Sequence, residues 1–175
     1  MAKILVLAQS GFGKSTSIGR NETLKIKGLN PKETFVISAT KKGLPFPGWK
    51  SQYQLATSLP PDKGNYFISN NGHDIAKLVK WIGENRKDIK NIVLDDFNYV
   101  MQDYYMSNSL KGGFDTFKQI GDFMGKIFNA IEDLSADLNI IMMAHYEEYK
   151  DSSSDTISYR FKTVGSMVNF VPLFI

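Results

Sequence analysis

The chain has 175 residues, 42% hydrophobic and 22% charged, the size and balance of one globular domain with a core of its own. Its 21 basic and 18 acidic side chains leave a net charge of +3, too little to declare a nucleic-acid or membrane partner by itself. The absence of cysteine excludes disulfides, thiolate zinc sites and thiol nucleophiles, and two histidines, His73 and His145, are a poor basis for a histidine metal centre.

The net charge hides a division. Residues 1–90 carry 15 basic against 6 acidic side chains, and residues 91–175 carry 6 against 12. A basic and an acidic face on one small domain would suit head-to-tail association into a homo-oligomer. No apolar run approaches the roughly 18 residues of a membrane span. The apolar start from Met1 to Leu7 turns polar at Gln9 without a cleavage-site pattern. A cytoplasmic protein without membrane association is expected.

Lys3 to Ala8 is a continuous apolar run, which predicts a strand buried on both faces of a parallel sheet. A helix is predicted from Lys14 to about Lys27, and Thr34–Ser38 reads as a second strand. Residues 43–70 form a Pro- and Gly-punctuated edge excursion, with candidate strands at Tyr53–Thr57 and Tyr66–Ser69. From Asp74, Ile75, Leu78, Val79 and Ile82 recur at helical spacing. Asn91–Leu94 is a buried strand ending on Asp95 and Asp96. After Gly112 and Gly113 a long helix is marked by Phe117, Ile120, Met124, Ile127, Phe128, Ile131 and Leu134. Leu138–Ala144 is the next strand, ending at His145. A polar loop over 147–156 leads to a strand at Ile157–Thr163 and an apolar segment at Phe170–Ile175. This alternation predicts a three-layer α/β fold with a mostly parallel sheet, one domain over 1–175. The apolar finish leaves open either a longer natural chain or a tightly packed last strand.

The segment Ala8-Gln9-Ser10-Gly11-Phe12-Gly13-Lys14-Ser15-Thr16 matches the phosphate loop G-x-x-x-x-G-K-[ST], with Ala8 in place of the first glycine. Gly11 and Gly13 let the backbone curl so that N–H groups face phosphate oxygens. Lys14 would reach the β- and γ-phosphates, Ser15 would ligate Mg²⁺, and Thr16 would lie nearer the α-phosphate. A nucleoside-triphosphate site also needs a carboxylate at a neighbouring strand tip. Asp95 is the candidate on the metal side, and Asp96 the candidate base. An ordinary Gly-rich turn and a solvated strand-end acid are the plainer readings of each motif alone; the two together favour the site.

The order of these strands resembles the RecA/AAA-like branch of phosphate-loop ATPases. The pieces Gly11–Thr16, Gly43-Leu44-Pro45-Phe46-Pro47-Gly48, Leu94-Asp95-Asp96-Phe97 and Ala144-His145 resemble small phage ATP-binding proteins of that branch, including the Sak-type single-strand-annealing ATPases. The resemblance implies an acidic strand one removed from the loop strand, with the His145 strand between them and His145 as γ-phosphate sensor. It implies Mg²⁺-dependent ATP hydrolysis coupled to single-stranded DNA in phage recombination or replication. It also implies Arg160 and Lys162, on one face of a strand, as fingers reaching a neighbouring subunit in a ring or filament.

Two features depart from that pattern. The glutamate expected beyond the second strand is replaced by Ala39-Thr40-Lys41-Lys42, and the loop after His145 is acidic. Lys41, Lys42 and Lys50, with Phe46, Trp49 and Tyr53, offer a candidate single-strand surface, against the plainer reading that these aromatics pack on the core. A GTPase is excluded by the missing Asn-Lys-x-Asp motif. A phosphate-loop kinase, disfavoured by only three arginines, and a nucleotide-gated assembly factor with little hydrolysis are the alternatives.

Overall fold

The computed structural model of the chain describes residues 1–111, 113–150 and 157–164. Five strands, β1 (Lys3–Leu7), β2 (Thr34–Ser38), β3 (Tyr66–Ile68), β4 (Asn91–Asp95) and β5 (Asn139–Ala144), form one sheet in the order β1-β5-β4-β2-β3. Every pairing in it is parallel. The strand ending at His145 therefore lies between the loop strand and the Asp95 strand. A separate antiparallel pair joins β6 (Tyr146–Lys150) to β7 (Ile157–Phe161). The candidate strand at 170–175 lies outside the described residues. Among those described, no helix is long and apolar enough to cross a membrane.

One face of the sheet is covered by helices. Asn71 starts α2 (Gly72–Asn85) by accepting hydrogen bonds from the His73 and Asp74 N–H groups, and Ile75, Leu78, Val79 and Ile82 are buried as their spacing requires. They pack with Ile120, Met124, Ile127, Phe128 and Ile131 of α4 (Gly113–Glu132) against Phe35, Ile37, Ile92, Leu94, Ile140 and Met142 of the sheet. A further helix, α3 (Asn98–Asn108), was not legible in the sequence. It buries only Asn98, Val100 and Met101, too few for a periodic apolar stripe.

The other face departs from expectation. The helix predicted over Lys14 to about Lys27 is a single 3-10 turn, Ser15–Ile18, after which the chain bends back through a bridge between Asn21 and Ile26. Residues 16–28 contain Thr16, Ser17, Gly19, Asn21, Thr23 and Gly28, weak helix formers, and Ser17 Oγ donates to the Lys14 carbonyl at 2.6 Å. Packing completes the break. The Phe46 ring occupies the space a side chain at residue 19 would need, and Gly28, at φ +63°, crosses the Gly19 backbone. Ile18, Phe46, Leu44, Tyr53 and Tyr66 then form a second core over Val36, Val93, Ile141 and Met143. Phe46 and Tyr53 are thus core residues, at 3% and 1% exposure, and Trp49 of the short helix α1 (Trp49–Gln52) packs on Tyr66. Phe46 and Tyr53 therefore offer no stacking surface for a single strand; Trp49 stays partly exposed, with the Lys50 ammonium 5.8 Å from its ring.

Three smaller expectations are also revised. Tyr53–Thr57 contributes only a bridge from Leu55 to Tyr66 rather than a strand. Part of the predicted polar loop, Tyr146–Lys150, is strand β6, because Tyr146 and Tyr149 have cross-strand partners that a local reading does not show. And β1, expected to be buried on both faces, is an edge strand with Ile4 45% exposed.

The close approach at Gly19 is testable. A Cβ there would lie 2.1 Å from Phe46 Cζ, so Gly19→Ala must displace a buried ring. Overpacking of this kind costs about 1–3 kcal/mol, or several degrees of melting temperature in a domain this size. Thermal unfolding should show that loss, and adding Phe46→Leu to the Gly19→Ala protein should recover part of it.

Candidate functional site

Parallel pairing brings the C-terminal ends of four strands to one edge of the sheet. Leu7 pairs with Ala144, Leu94 with Met142, and Ser38 with Asp95. The first residues beyond the strands continue the pattern: Ala8 N–H donates to Ala144, Ala39 N–H to the Asp95 carbonyl, and Phe97 N–H to Met143. Residues distant in sequence thereby line one cavity of about 340 Å³, with the loop from Ser10 to Thr16 facing Asp95, Asp96, His145, Lys42 and Pro45.

In the loop, Gly11 and Gly13 sit at φ +84° and +83° with Lys14 in the right-handed region, the alternation that turns successive N–H groups inward. Among the described residues, no protein acceptor takes a hydrogen bond from the N–H groups of Gly11, Phe12, Gly13 or Lys14. Lys14, 8% exposed, donates through Nζ to the carbonyls of Ala8 at 2.7 Å and Gln9 at 3.1 Å. Two of its three donors are so used, leaving one for a ligand. Burial holds its ammonium pKa below the usual lysine value, against the opposing pull of Asp96 and Asp95. Phe12, at 75% exposure, projects from the loop tip.

Ser15 Oγ donates to Asp95 Oδ1 at 2.8 Å, tying the loop to the tip of β4. Asp95 is 3% exposed, and its carboxyl is pushed up to about 6, chiefly by burial and then by the charge of Asp96, with the Ser15 hydrogen bond pulling the other way. Asp96 follows in the left-handed region at φ +55°, a conformation uncommon outside glycine and concentrated at functional positions. That twist sets Asp96 Oδ2 to accept from Thr40 Oγ1 at 3.1 Å and leaves Oδ1 3.7 Å from His145 Nε2. Burial, and next the charge of Lys14, hold the His145 pKa below the usual value, so the imidazole is neutral at pH 7 and the contact with Asp96 is polar rather than ionic.

Most of the expected residues are thus brought together: Ser10, Gly11, Phe12, Gly13, Lys14, Ser15, Thr16, Asp95, Asp96 and His145 line the cavity, and Gln9 contributes a carbonyl to Lys14. The two residues expected to reach a neighbouring subunit do not line this cavity. Arg160 donates to Glu147 Oε1 at 2.8 Å and lies 4.7 Å from the Tyr149 ring, engaged within its own hairpin. Lys162 falls one residue beyond β7, not on its face, and its N–H donates to the His145 carbonyl at 2.9 Å.

Sequence reasoning missed three contributors. Thr40 was read only as a missing acid, yet its hydroxyl orients Asp96. Buried Asn98 accepts the His145 N–H at 3.1 Å, locking the end of β5 to the start of α3. Lys42 reaches the cavity from the β2 side. Their sequence signal was position alone, just beyond strand ends. Comparison with protein-family models and with curated proteins gives no match for this chain. What the fold establishes is the class: an α/β protein with a five-stranded parallel sheet and a cavity at its C-terminal edge.

The buried Asp95 makes a pH prediction. Its folded-state pKa of about 6 lies above the ordinary aspartate value of 3.8, so ionising it costs the fold about 3 kcal/mol. That cost is absent below about pH 4, grows between the two values and is complete above pH 6. Asp95→Asn, which still accepts from Ser15, should therefore raise the melting temperature of the ligand-free protein at pH 7.5. The gain should shrink towards zero as the pH of the thermal melts is lowered to 4.

Proposed function

We propose that the protein binds ATP with Mg²⁺ and hydrolyses it, with turnover coupled to single-stranded DNA. The observation that carries the nucleotide part is the Ser15–Asp95 hydrogen bond, which sets a phosphate-loop hydroxyl on a buried acid from a strand tip 80 residues away. Around it stand loop N–H groups without protein acceptors and a lysine with one donor to spare. An unrelated Gly-rich turn would have no reason to hold a buried carboxylate at that point.

The residues fit Mg²⁺. Among the described residues no group of three or more acidic or histidine side chains could hold a metal unaided. One hydroxyl and one carboxylate, completed by phosphate oxygens and water, is the pattern this ion usually takes with nucleotides. When bound, it neutralises phosphate charge and polarises the group being transferred.

The chain's own residues supply the remainder. Lys14 and the loop N–H groups hold the β- and γ-phosphates in line. Asp96, steadied by Thr40, accepts a proton from the water whose oxygen bonds to the γ-phosphorus. The bond to the bridging oxygen breaks as that bond forms, releasing ADP and phosphate. His145 hydrogen-bonds the γ-phosphate or the water, and Asn98 holds its backbone. Coupling to DNA rests on the sequence resemblance.

Phosphate release measured with and without Mg²⁺ and single-stranded DNA tests each part. Wild type should hydrolyse ATP only with Mg²⁺ and faster with DNA, while Lys14→Ala and Asp96→Asn should each lose about 100-fold or more. Hydrolysis indifferent to DNA would remove the coupling and leave the nucleotide site; phosphate transfer to an added acceptor instead of water would make the protein a kinase.

A further inference from the structure

We infer that Lys42 is a second phosphate-binding cation, acting within the same chain on the terminal phosphate and so distinguishing a nucleoside triphosphate from a diphosphate. The inference rests on the nucleotide reading above and adds a residue to it.

Position is the first argument. The loop follows β1, whereas Lys42 follows β2, and β5 and β4 lie between those strands. Lys42 therefore enters the cavity from the side opposite the loop, past the acids at the tip of β4. Strands in a sheet are about 4.8 Å apart, so three spacings set the backbones of β1 and β2 roughly 14 Å apart, a gap that narrows to triphosphate size only through the reach of the Lys14 and Lys42 side chains. Of its phosphates, the terminal one lies towards Asp95 and Asp96, and hence towards Lys42.

The side chain is also held ready. Lys42 is exposed and has no carboxylate partner among the described residues. Its ammonium sits 5.4 Å from the centroid of the Tyr99 ring, and that ring meets His145 edge-on, with centroids 5.8 Å apart and planes at 88°. A π face orients a cation without neutralising it, so the full charge is left for an anion. The next residue, Gly43, turns the chain at φ +72° with the Trp49 ring packed where a side chain would begin, which fixes the point from which Lys42 reaches.

Charge balance is the third argument. A loop followed by a long helix gains from the helix dipole, but here only a four-residue 3-10 turn follows. Lys14 and, at the His145 side, Lys162 are set against two acids, and a triphosphate adds further negative charge even when a divalent ion accompanies it. Arg160, committed to Glu147 and away from the cavity, does not relieve this. Lys42 does.

The test compares Mg²⁺-ATP and Mg²⁺-ADP affinity by equilibrium titration, with single-turnover hydrolysis, in wild type, Lys14→Ala, Lys42→Ala, Lys42→Arg and Lys77→Ala, the last an exposed lysine on α2. Lys42→Ala should lose about 10- to 100-fold in ATP affinity, the scale of one charge-assisted hydrogen bond, while ADP affinity stays within about twofold. Hydrolysis should fall by a similar factor, Lys42→Arg should restore part of both, and Lys77→Ala should match wild type. Unchanged melting temperatures would show that the variants are folded. An unaltered ATP-to-ADP ratio in Lys42→Ala, with binding abolished in Lys14→Ala, would overturn the role of Lys42 and leave the nucleotide site standing. Failure of wild type to bind either nucleotide would overturn both.

Discussion

Parallel pairing of β1, β5, β4 and β2 is the constraint on which everything else in this molecule depends. Parallel strands are joined by crossovers, so each chain connection begins at the same edge of the sheet. Register then decides what meets there. With Leu7 level with Ala144 and Ser38 level with Asp95, the residues just beyond four strands face one another across a few ångströms. A shift of one residue in any pairing would turn its side chains to the opposite face and dismantle the cluster of Ser15, Thr40, Asp96 and His145.

That cluster is costly to the fold that carries it. A nearly fully buried carboxylate, a lysine held by main-chain carbonyls and an aspartate in the left-handed region all oppose stability. The helix-covered face compensates, with Ile75, Leu78, Val79, Ile120 and Ile127 buried against the sheet; each such side chain contributes about 1.5–3 kcal/mol. A polyanion with its counter-ion would relieve the same strain from the other side, by satisfying loop N–H groups and offsetting the carboxylate charge. The division of labour is therefore physical: the packed faces of the sheet supply stability, and its C-terminal edge gives part of it up to shape a cavity.

The thin second layer has consequences of its own. Because the loop runs into a single 3-10 turn, Phe46, Tyr53 and Trp49 close over the sheet where a helix would have done so, and Phe46 and Tyr53 are lost as surface for any partner. An anion at the loop would then be met by individual side chains more than by a helix dipole. The same substitution of irregular chain for helix brings the segment after β2 close enough for Lys42 to line the cavity.

Much of this was legible in the chain itself. Apolar runs bounded by Gly, Asp or His located β1, β4 and β5, and the 3.6-residue stripes located α2 and α4, because burial on one or both faces dictates those patterns directly. The Gly11–Thr16 segment and the Asp95-Asp96 pair could be picked out as candidates for the same reason: such motifs depend on local spacing. The failure of the helix after Lys14 was decided by Phe46 against Gly19, a contact between residues 27 positions apart that no local window contains. The strand at Tyr146–Lys150 exists because β7 pairs with it, and the roles of Thr40, Asn98 and Lys42 exist because parallel register sets them beside Asp96, His145 and the loop. Sequence determined which segments could build the sheet and which residue types could bind phosphate; tertiary packing decided which of them meet, since hydrogen bonds and charges act over ångströms in space and not along the chain.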